Sequence, residues 1–342
     1  MITDPQAPPP DVELGRALFA KTCQQCHTLF GTGGKIGPEL TGANRSSLDY
    51  LLSNILDPSA VLAKEYQPSV IETDSGRIIT GIIKGKEGGA LLVQTATELV
   101  TIPENEIESN TPSPLSMMPE DQLKPFTPHE VRSLIAYLGS PGQTPMLATE
   151  ENIANFFNGQ DLTLWRGEEG LWRLENGEII GKTGPIDHNT FLMSEMAVED
   201  FRLTLEVKLV DDVGNSGIQI RSTPIEHGEM KGYQCDIGPG WWGKLYEENG
   251  RALLWNKSGE AHVKKGDWNK YEIVAIGSRV RSWINGQPCV DLDDPDGARR
   301  GVIAFQIHSG PAMEVRFRNI KLELLSQKPE KTSARFGFPT QP

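Results

Sequence analysis

The chain has 342 residues, 37% of them hydrophobic, with 35 Gly, 24 Pro and a formal net charge of −13. This length exceeds one ordinary domain, so two compact units are expected, and the composition suits loop-rich or β-rich globular structure rather than a coiled coil. The surplus of acid disfavours nucleic acid and anionic membrane surfaces as partners, since both select clustered Lys and Arg, and no apolar run approaches a membrane span.

The first ten residues are polar and Pro-rich, unlike a signal peptide. Asp11 to Lys21 then places Leu14, Leu18 and Phe19 at helical spacing, and this amphipathic helix runs into Cys23-Gln24-Gln25-Cys26-His27. Two thiols separated by two residues and followed at once by histidine form the attachment signature of a c-type haem. One helical turn brings both sulfurs to one porphyrin edge while the imidazole ligates iron. A redox dithiol or half a zinc site is the alternative, but four cysteines with no second CxxC cannot complete a tetrahedral site. Covalent haem attachment takes place outside the cytoplasm, so a periplasmic or otherwise exported protein is expected, its export signal or a longer N-terminal region removed or replaced by Met1.

The Gly-rich loop from Gly31 to Leu40 lacks the preceding strand and GK[ST] ending of a phosphate loop. Its expected role is to offer a backbone carbonyl near Pro38 to the free N–H of the His27 ring. Ser46 is the expected cap of a helix carrying Leu48, Leu51, Leu52, Ile55 and Leu56, followed by Pro58. From Tyr66 the pattern changes. Ser69 to Thr73, Arg77 to Lys84, Ala90 to Thr95 and Glu98 to Ile102 read as short strands, a β-meander inserted over about 66–110 of a helical cytochrome. Helix resumes at Thr127-Pro128-His129-Glu130, which supplies a capping Thr, Pro at the first helical position and a capping-box Glu. Before it lies Ser113-Pro114-Leu115-Ser116-Met117-Met118-Pro119, where a thioether is a candidate sixth iron ligand; the alternative is a loop methionine filling a core gap.

Gly37-Pro38-Glu39-Leu40-Thr41-Gly42, Ile55 to Ala60, Asp74-Ser75-Gly76-Arg77, Thr80-Gly81 and Met118-Pro119 before Leu134-Ile135-Ala136-Tyr137-Leu138 together resemble the haem-binding cytochrome c domain of large multidomain bacterial proteins. The resemblance covers nearly all of residues 11–140. It implies an α-helical class I-like cytochrome with haem c on Cys23, Cys26 and His27, and it selects Met118, which immediately precedes proline, over Met117 as the second axial ligand.

Residues 141–151, rich in turn formers and without a periodic stripe, read as a linker. Beyond it, Phe201 to Leu209, Ile218 to Arg221, Tyr271 to Ile276, Val280 to Ile284 and Val315 to Arg318 alternate apolar with polar, and Asn285-Gly286 is a hairpin signal. Residues 152–326 are therefore expected to form an all-β two-sheet sandwich or jelly roll, with 327–342 as a tail. Period two groups Gln219 with Arg221, Gln234 with Asp236 and Gln306 with His308, opposite the apolar positions. If these strands are neighbours they make one polar face suited to sugar hydroxyls, with Trp241, Trp242 and Tyr246 as an aromatic floor. Alternation on any half-exposed sheet is the plain alternative.

Gly214 to Arg221, Gly232 to Ile237, Gly243 to Tyr246, Trp268 to Tyr271, Trp283 to Gly286, Gly301 to His308 and Val315 to Ile320 resemble the 3-keto-disaccharide hydrolase family, over Asn155 to Leu324. The resemblance implies a concanavalin-like jelly roll and glycosides oxidised at C3. Where many members read Tyr-Glu-Val-Gln, this chain has Tyr233-Gln234-Cys235-Asp236, exchanging acid and amide, so Asp236 becomes the expected carboxylate. A C3 ketone acidifies the C2 hydrogen, so a base can remove it and expel the C1 substituent, after which water adds. Asp236 and His308 are the expected base and acid, in either order, with Arg221 on the enolate oxygen and Gln234, Gln306, Asn215, Tyr246 and Trp242 binding the sugar. Glu247, Glu248 and His188 are reserves. No His/Asp cluster has secure spacing for a divalent metal. Cys235 and Cys289 form either a disulfide or two buried thiols.

The combined expectation is an exported haem electron-transfer protein fused to a domain acting on 3-keto-glycosides, with a sugar dehydrogenase as electron donor. The rivals are a cytochrome anchored to glycans by a carbohydrate-binding module, and an electron carrier with a purely structural β-domain.

Overall fold

The structure, a computed structural model describing residues 6–325, divides between Thr144 and Pro145 into two units. In the first, Asp11 caps α1 (Val12–Thr22) by accepting the Leu14 N–H at 3.0 Å. Leu18 and Phe19 of α1 share a core with Leu51 of α2 (Leu48–Leu56) and with Leu134, Tyr137 and Leu138 of α3 (Pro128–Leu138). Gly15 permits the helix contact, since a Cβ there would lie 2.0 Å from the Ser133 carbonyl oxygen. A two-residue ladder, β1 (Thr28–Leu29) with β2 (Thr32–Gly33), follows the CxxCH turn. The cap of α2 is Ser47 rather than Ser46. The helix opens at Leu48, so the orphan N–H of Tyr50 meets Ser47 Oγ at 3.2 Å. The α3 capping box forms as its residues dictate: Thr127 Oγ1 accepts from Glu130 N–H, and the Glu130 carboxylate accepts from Thr127 N–H at 2.7 Å.

Between α2 and α3 lie β3 (Ser69–Thr73), β4 (Ile78–Glu87), β5 (Ala90–Gln94), β6 (Leu99–Pro103) and β7 (Ile107–Pro112). Their spatial order is β6-β5-β4-β3-β7, and they enclose Ile71, Ile79, Leu91, Val93 and Ile102. The meander expected from the sequence lacks β7. That strand exposes every side chain after Ile107, so it carries no alternation to read, and it is held by its backbone ladder to β3.

The second unit opens with β8 (Met146–Leu147), β9 (Trp165–Arg166), β10 (Trp172–Glu175), β11 (Glu178–Thr183), β12 (Thr190–Val198), β13 (Phe201–Leu209) and β14 (Ser216–Pro224). It continues with β15 (Met230–Ile237), β16 (Leu245–Glu248), β17 (Ala252–Trp255), β18 (Asn269–Ile276), β19 (Arg279–Ile284), β20 (Gln287–Asp293), β21 (Gly301–Ile307) and β22 (Met313–Leu324). One sheet runs β10-β11-β22-β13-β18-β19-β20, the other β17-β16-β15-β14-β21-β12-β8 with β9 attached to β12, giving the jelly-roll sandwich the alternation predicts. The sheets meet where Phe305 of β21 stacks on Phe317 of β22, ring centroids 4.0 Å apart. Cys235 and Cys289 are buried free thiols, and burial raises both above the ordinary thiol value, Cys289 to about 11. The expected tail, 327–342, lies outside the described residues.

Candidate functional site

At the end of α1 the chain makes one further turn, with the N–H groups of Cys26 and His27 both donating to the Cys23 carbonyl, at 3.1 and 2.9 Å. The His27 ring approaches the Pro38 carbonyl through Nδ1 at 2.9 Å. A carbonyl can only accept, so the proton sits on Nδ1 and the Nε2 lone pair is left for a metal. Gly37 packs flat on this ring: a Cβ there would come within 2.7 Å of Cε1. Further along, Ser116 N–H donates to Ser59 Oγ and Met118 N–H to Ser116 Oγ, both at 3.1 Å, which pins the methionine loop to the segment after α2. The apolar side chains flanking that pin, Leu56, Val61 and Leu115, are largely exposed. Two reduced thiols, an imidazole with an oriented free nitrogen and an apolar skin form a donor set that fits haem.

In the second unit the polar face is carried by β14, β15, β16 and β21. Register sets Gln219 opposite Gln234, Gly217 opposite Asp236, and Tyr246 opposite Gln234. These side chains form a directed chain of donors. Ser222 Oγ donates to Gln219 Oε1 at 2.5 Å, Gln219 Nε2 to Gln234 Oε1 at 2.9 Å, and Gln234 Nε2 to Asp236 Oδ1 at 2.9 Å. Gly217 makes the room: a Cβ on it would lie 2.4 Å from Gln234 Cδ. The chain ends on Asp236 Oδ2, which is buried and has no partner. Burial pushes the Asp236 carboxyl up to about 7; the Gln234 hydrogen bond and Lys244 oppose this, and the charge of Glu248 adds to it.

Gln306 of β21 is fully buried with neither amide atom within hydrogen-bond distance of a partner. It nonetheless lies close enough to Glu248 to favour that carboxylate's charged form, as does His308, against burial and Glu229, which raise it. His308 follows the end of β21; its backbone N–H donates to the Asn215 carbonyl at 3.1 Å, and its ring meets the Ser309 carbonyl through Nδ1 at 2.7 Å. Its Nε2 therefore keeps a free lone pair. Asp236, Glu248, Gln306, His308, Asn215 and Tyr246 belong to one region of the sheet. Together they supply a carboxyl that can give a proton, an imidazole that can take one, and an amide donor.

Two expected site residues are elsewhere. Register shifts between Ile220 and Thr223 against β15 and between Gln219 and Ser222 against β21, and Arg221 takes a φ of 47°, so the period-two face breaks there. The Arg221 guanidinium is completely buried, giving its N–H groups to the carbonyls of Glu199, Gly277 and Ala298 and to Asp200 Oδ1 at 2.9 Å. It is a clamp on loop backbone: four of its five N–H donors are spent on these partners and the guanidinium is held away from the polar face. Trp242 is buried, with its indole N–H aimed at Asp212, so it anchors its loop while Trp241 faces solvent. Glu248, only a reserve on sequence grounds, joins the site because it lies two residues from Tyr246 on the same face of β16. Glu247 points the other way, paired with Arg251. His188 sits exposed between Asp187 and Glu168. Among the described residues no group of three or more His, Cys, Asp or Glu is placed to hold a metal ion.

Three solved structures are similar to about half of the chain. A provisionally assigned glycosyl hydrolase of Parabacteroides distasonis ATCC 8503 is 19% identical, with 52% of this chain and 98% of that one covered at a TM-score of 0.39. The carbohydrate-binding module CBM66 from Bacillus subtilis is 19% identical over 47% and 96%, at 0.38. A Bacillus subtilis protein of unknown function with a galectin-like fold is 11% identical over 51% and 91%, at 0.40. No curated protein matches the chain. Residues 12–65 match the cytochrome c family, and residues 152–323 match the family described as the 3-keto-alpha-glucoside-1,2-lyase-like domain. The chain thus joins a cytochrome c domain to a carbohydrate-related β-sandwich, and through the second, longer match it belongs to the 3-keto-alpha-glucoside-1,2-lyase-like family.

Proposed function

We propose that the β unit cleaves 3-keto-glycosides by elimination across C1–C2, and that the N-terminal unit is a class I-like cytochrome carrying covalent haem c. The observation that carries the first part is the pairing of Asp236, whose unpartnered Oδ2 retains a proton near neutral pH, with His308, whose Nε2 is free to accept one. His308 Nε2 takes the C2 proton, the C2–H electrons form the C1–C2 double bond, and the C1–O bond breaks toward the leaving oxygen, which Asp236 Oδ2–H protonates. The Gln306 amide, left without a protein partner, replaces Arg221 as donor to the enolate oxygen at C3. Tyr246, Gln234 and Asn215 bind the ring, and water later adds at C1 to complete net hydrolysis. Incubating the full chain with 3-keto-trehalose should release the second sugar, and Asp236→Asn or His308→Ala should slow release about 10²–10⁴-fold. No release by the unaltered chain would refute the enzymatic reading and leave glycan binding in its place.

Cys23 and Cys26 would bond the porphyrin, and His27 Nε2 and Met118 would hold the iron; bound haem would supply one-electron transfer. A dehydrogenase that oxidises the sugar at C3 releases electrons, and a haem on the same chain as the ketosugar domain gives them an acceptor. Periplasmic residence follows from covalent attachment. Met118→Ala should convert a low-spin reduced spectrum to a high-spin, CO-binding one. The same conversion in Met117→Ala, with Met118→Ala unaffected, would identify the other sulfur as ligand.

A further inference from the structure

Trp241 is the one aromatic residue among the exposed large hydrophobic side chains described in the β unit, at 38% exposure, and its loop is built to hold it there. The Trp241 and Trp242 N–H groups both donate to the Gly238 carbonyl, at 2.9 and 3.0 Å, and Lys244 N–H donates to the Trp241 carbonyl at 3.0 Å. Glu260 accepts from Gly240 N–H at 3.1 Å, and the Trp242 carbonyl accepts from Gly259 N–H at 2.7 Å. The loop closes on Asp236 itself, whose N–H donates to the Lys244 carbonyl and whose carbonyl accepts from Gly243 N–H. The Trp241 and Tyr246 rings meet in a T-shaped contact with centroids 6.2 Å apart, and Lys244 Nζ lies over the Trp241 ring, 5.1 Å from its centroid. Tyr246 belongs to the polar face opposite Gln234, and the Lys244 charge is felt by Asp236. A rigid indole therefore stands at the rim of a floor whose buried Asp236 Oδ2 and Gln306 amide lack partners, a second sign that a polar ligand belongs there.

We infer that Trp241, with Lys244, forms a leaving-group subsite that stacks the second ring of a two-ring 3-keto-glycoside while Tyr246 supports the oxidised ring. This rests on the reading of Asp236 as the acid that protonates the leaving oxygen, because the loop bearing Trp241 is the one folded against Asp236. Sugar rings offer C–H faces to an indole and equatorial hydroxyls to an ammonium, so both side chains find work on one ring. A single-ring glycoside with a methyl leaving group reaches neither. Substrate selection thus favours disaccharides or aryl glycosides over alkyl glycosides.

The test is calorimetric titration of the full chain carrying Asp236→Asn, so that ligand is not consumed, with 3-keto-trehalose and with methyl 3-keto-α-glucoside. The two-ring ligand should bind about fivefold to tenfold tighter. Adding Trp241→Ala should abolish that preference and leave the methyl glycoside unaffected, whereas Trp241→Phe should keep most of it. Equal affinities in the Trp241 parent, binding of neither ligand, or a preference that survives Trp241→Ala, would overturn the subsite. Aglycone release by the unaltered chain is the separate readout of the reaction: release without ring preference defeats the subsite alone, and ring preference without release defeats the reaction alone.

Discussion

Asp236 and Arg221 are both buried charge-bearing residues of one sheet, and burial acts on them in opposite ways. Asp236 Oδ2 has no donor, and the Gln234 hydrogen bond to Oδ1 and the Lys244 charge offset burial only in part, so desolvation wins and the carboxyl is raised from the ordinary value of about 4 to about 7. A folded-state value above the unfolded one means that the native state binds the proton more tightly. Stability from this group is fully present below about pH 4 and is lost as pH rises through about 7. Asp236→Asn should accordingly match the parent in thermal unfolding at pH 4 and exceed it at pH 8, by on the order of 2–4 kcal/mol. A gap that stays constant with pH would contradict the raised value. On the proposed reading of Asp236 as leaving-group acid, sugar release should fall above about pH 7. Arg221, in contrast, spends its donors on three carbonyls and Asp200, so Arg221→Met strands them all. It should cost about 3–5 kcal/mol in denaturant titrations, with turnover per folded molecule unaffected. A loss of turnover without a loss of stability would restore the enolate role expected from the sequence.

Among the elements, β14 does most to shape the site. It gives Gln219 to the donor chain, leaves out a side chain at Gly217 so that Gln234 can reach Asp236, and then bulges to turn Arg221 away. Gly217→Ala should push Gln234 aside, costing about 1–3 kcal/mol and slowing sugar release, since the oxygen held by Gln234 is the partner of the reactive one. Activity that survives the substitution would show that the chain of amides is not needed to orient Asp236. In the other unit α3 depends on its N-terminal cap. Thr127→Ala should lower stability by about 1 kcal/mol by freeing the Glu130 backbone N–H, a change that shows in the helical unfolding signal.

Over the whole molecule, two units with separate cores divide at Thr144 and Pro145. Heating should give two calorimetric transitions. Replacing Cys23 and Cys26 by Ala, which removes the proposed points of haem attachment, should lower only the transition of the N-terminal unit. A single transition shifted as a whole would show that the units unfold as one. Much of this organisation is legible in the amino-acid order, because local rules need no partner from afar. The CxxCH turn, the carbonyl near Pro38 that receives the His27 proton, the capping box of α3 and the alternating strands of the sandwich each depend on neighbours a few residues apart. The ladder of β7 and the choice of Ser47 over Ser46 escape such rules, since exposed backbone pairing and a one-residue shift in a helix start leave no apolar pattern. At the site, sequence alone marks Asp236, Gln234, Gln306, His308 and Tyr246 as polar or aromatic positions of neighbouring strands. Only the tertiary structure decides that Arg221 is a clamp, that Trp242 is an anchor while Trp241 is exposed, that Glu248 joins the site and that Asp236 keeps one oxygen unpaired. The physical reason is that a bulge reverses the side-chain alternation, and that desolvation and hydrogen-bond satisfaction depend on atoms brought together from strands far apart in the chain.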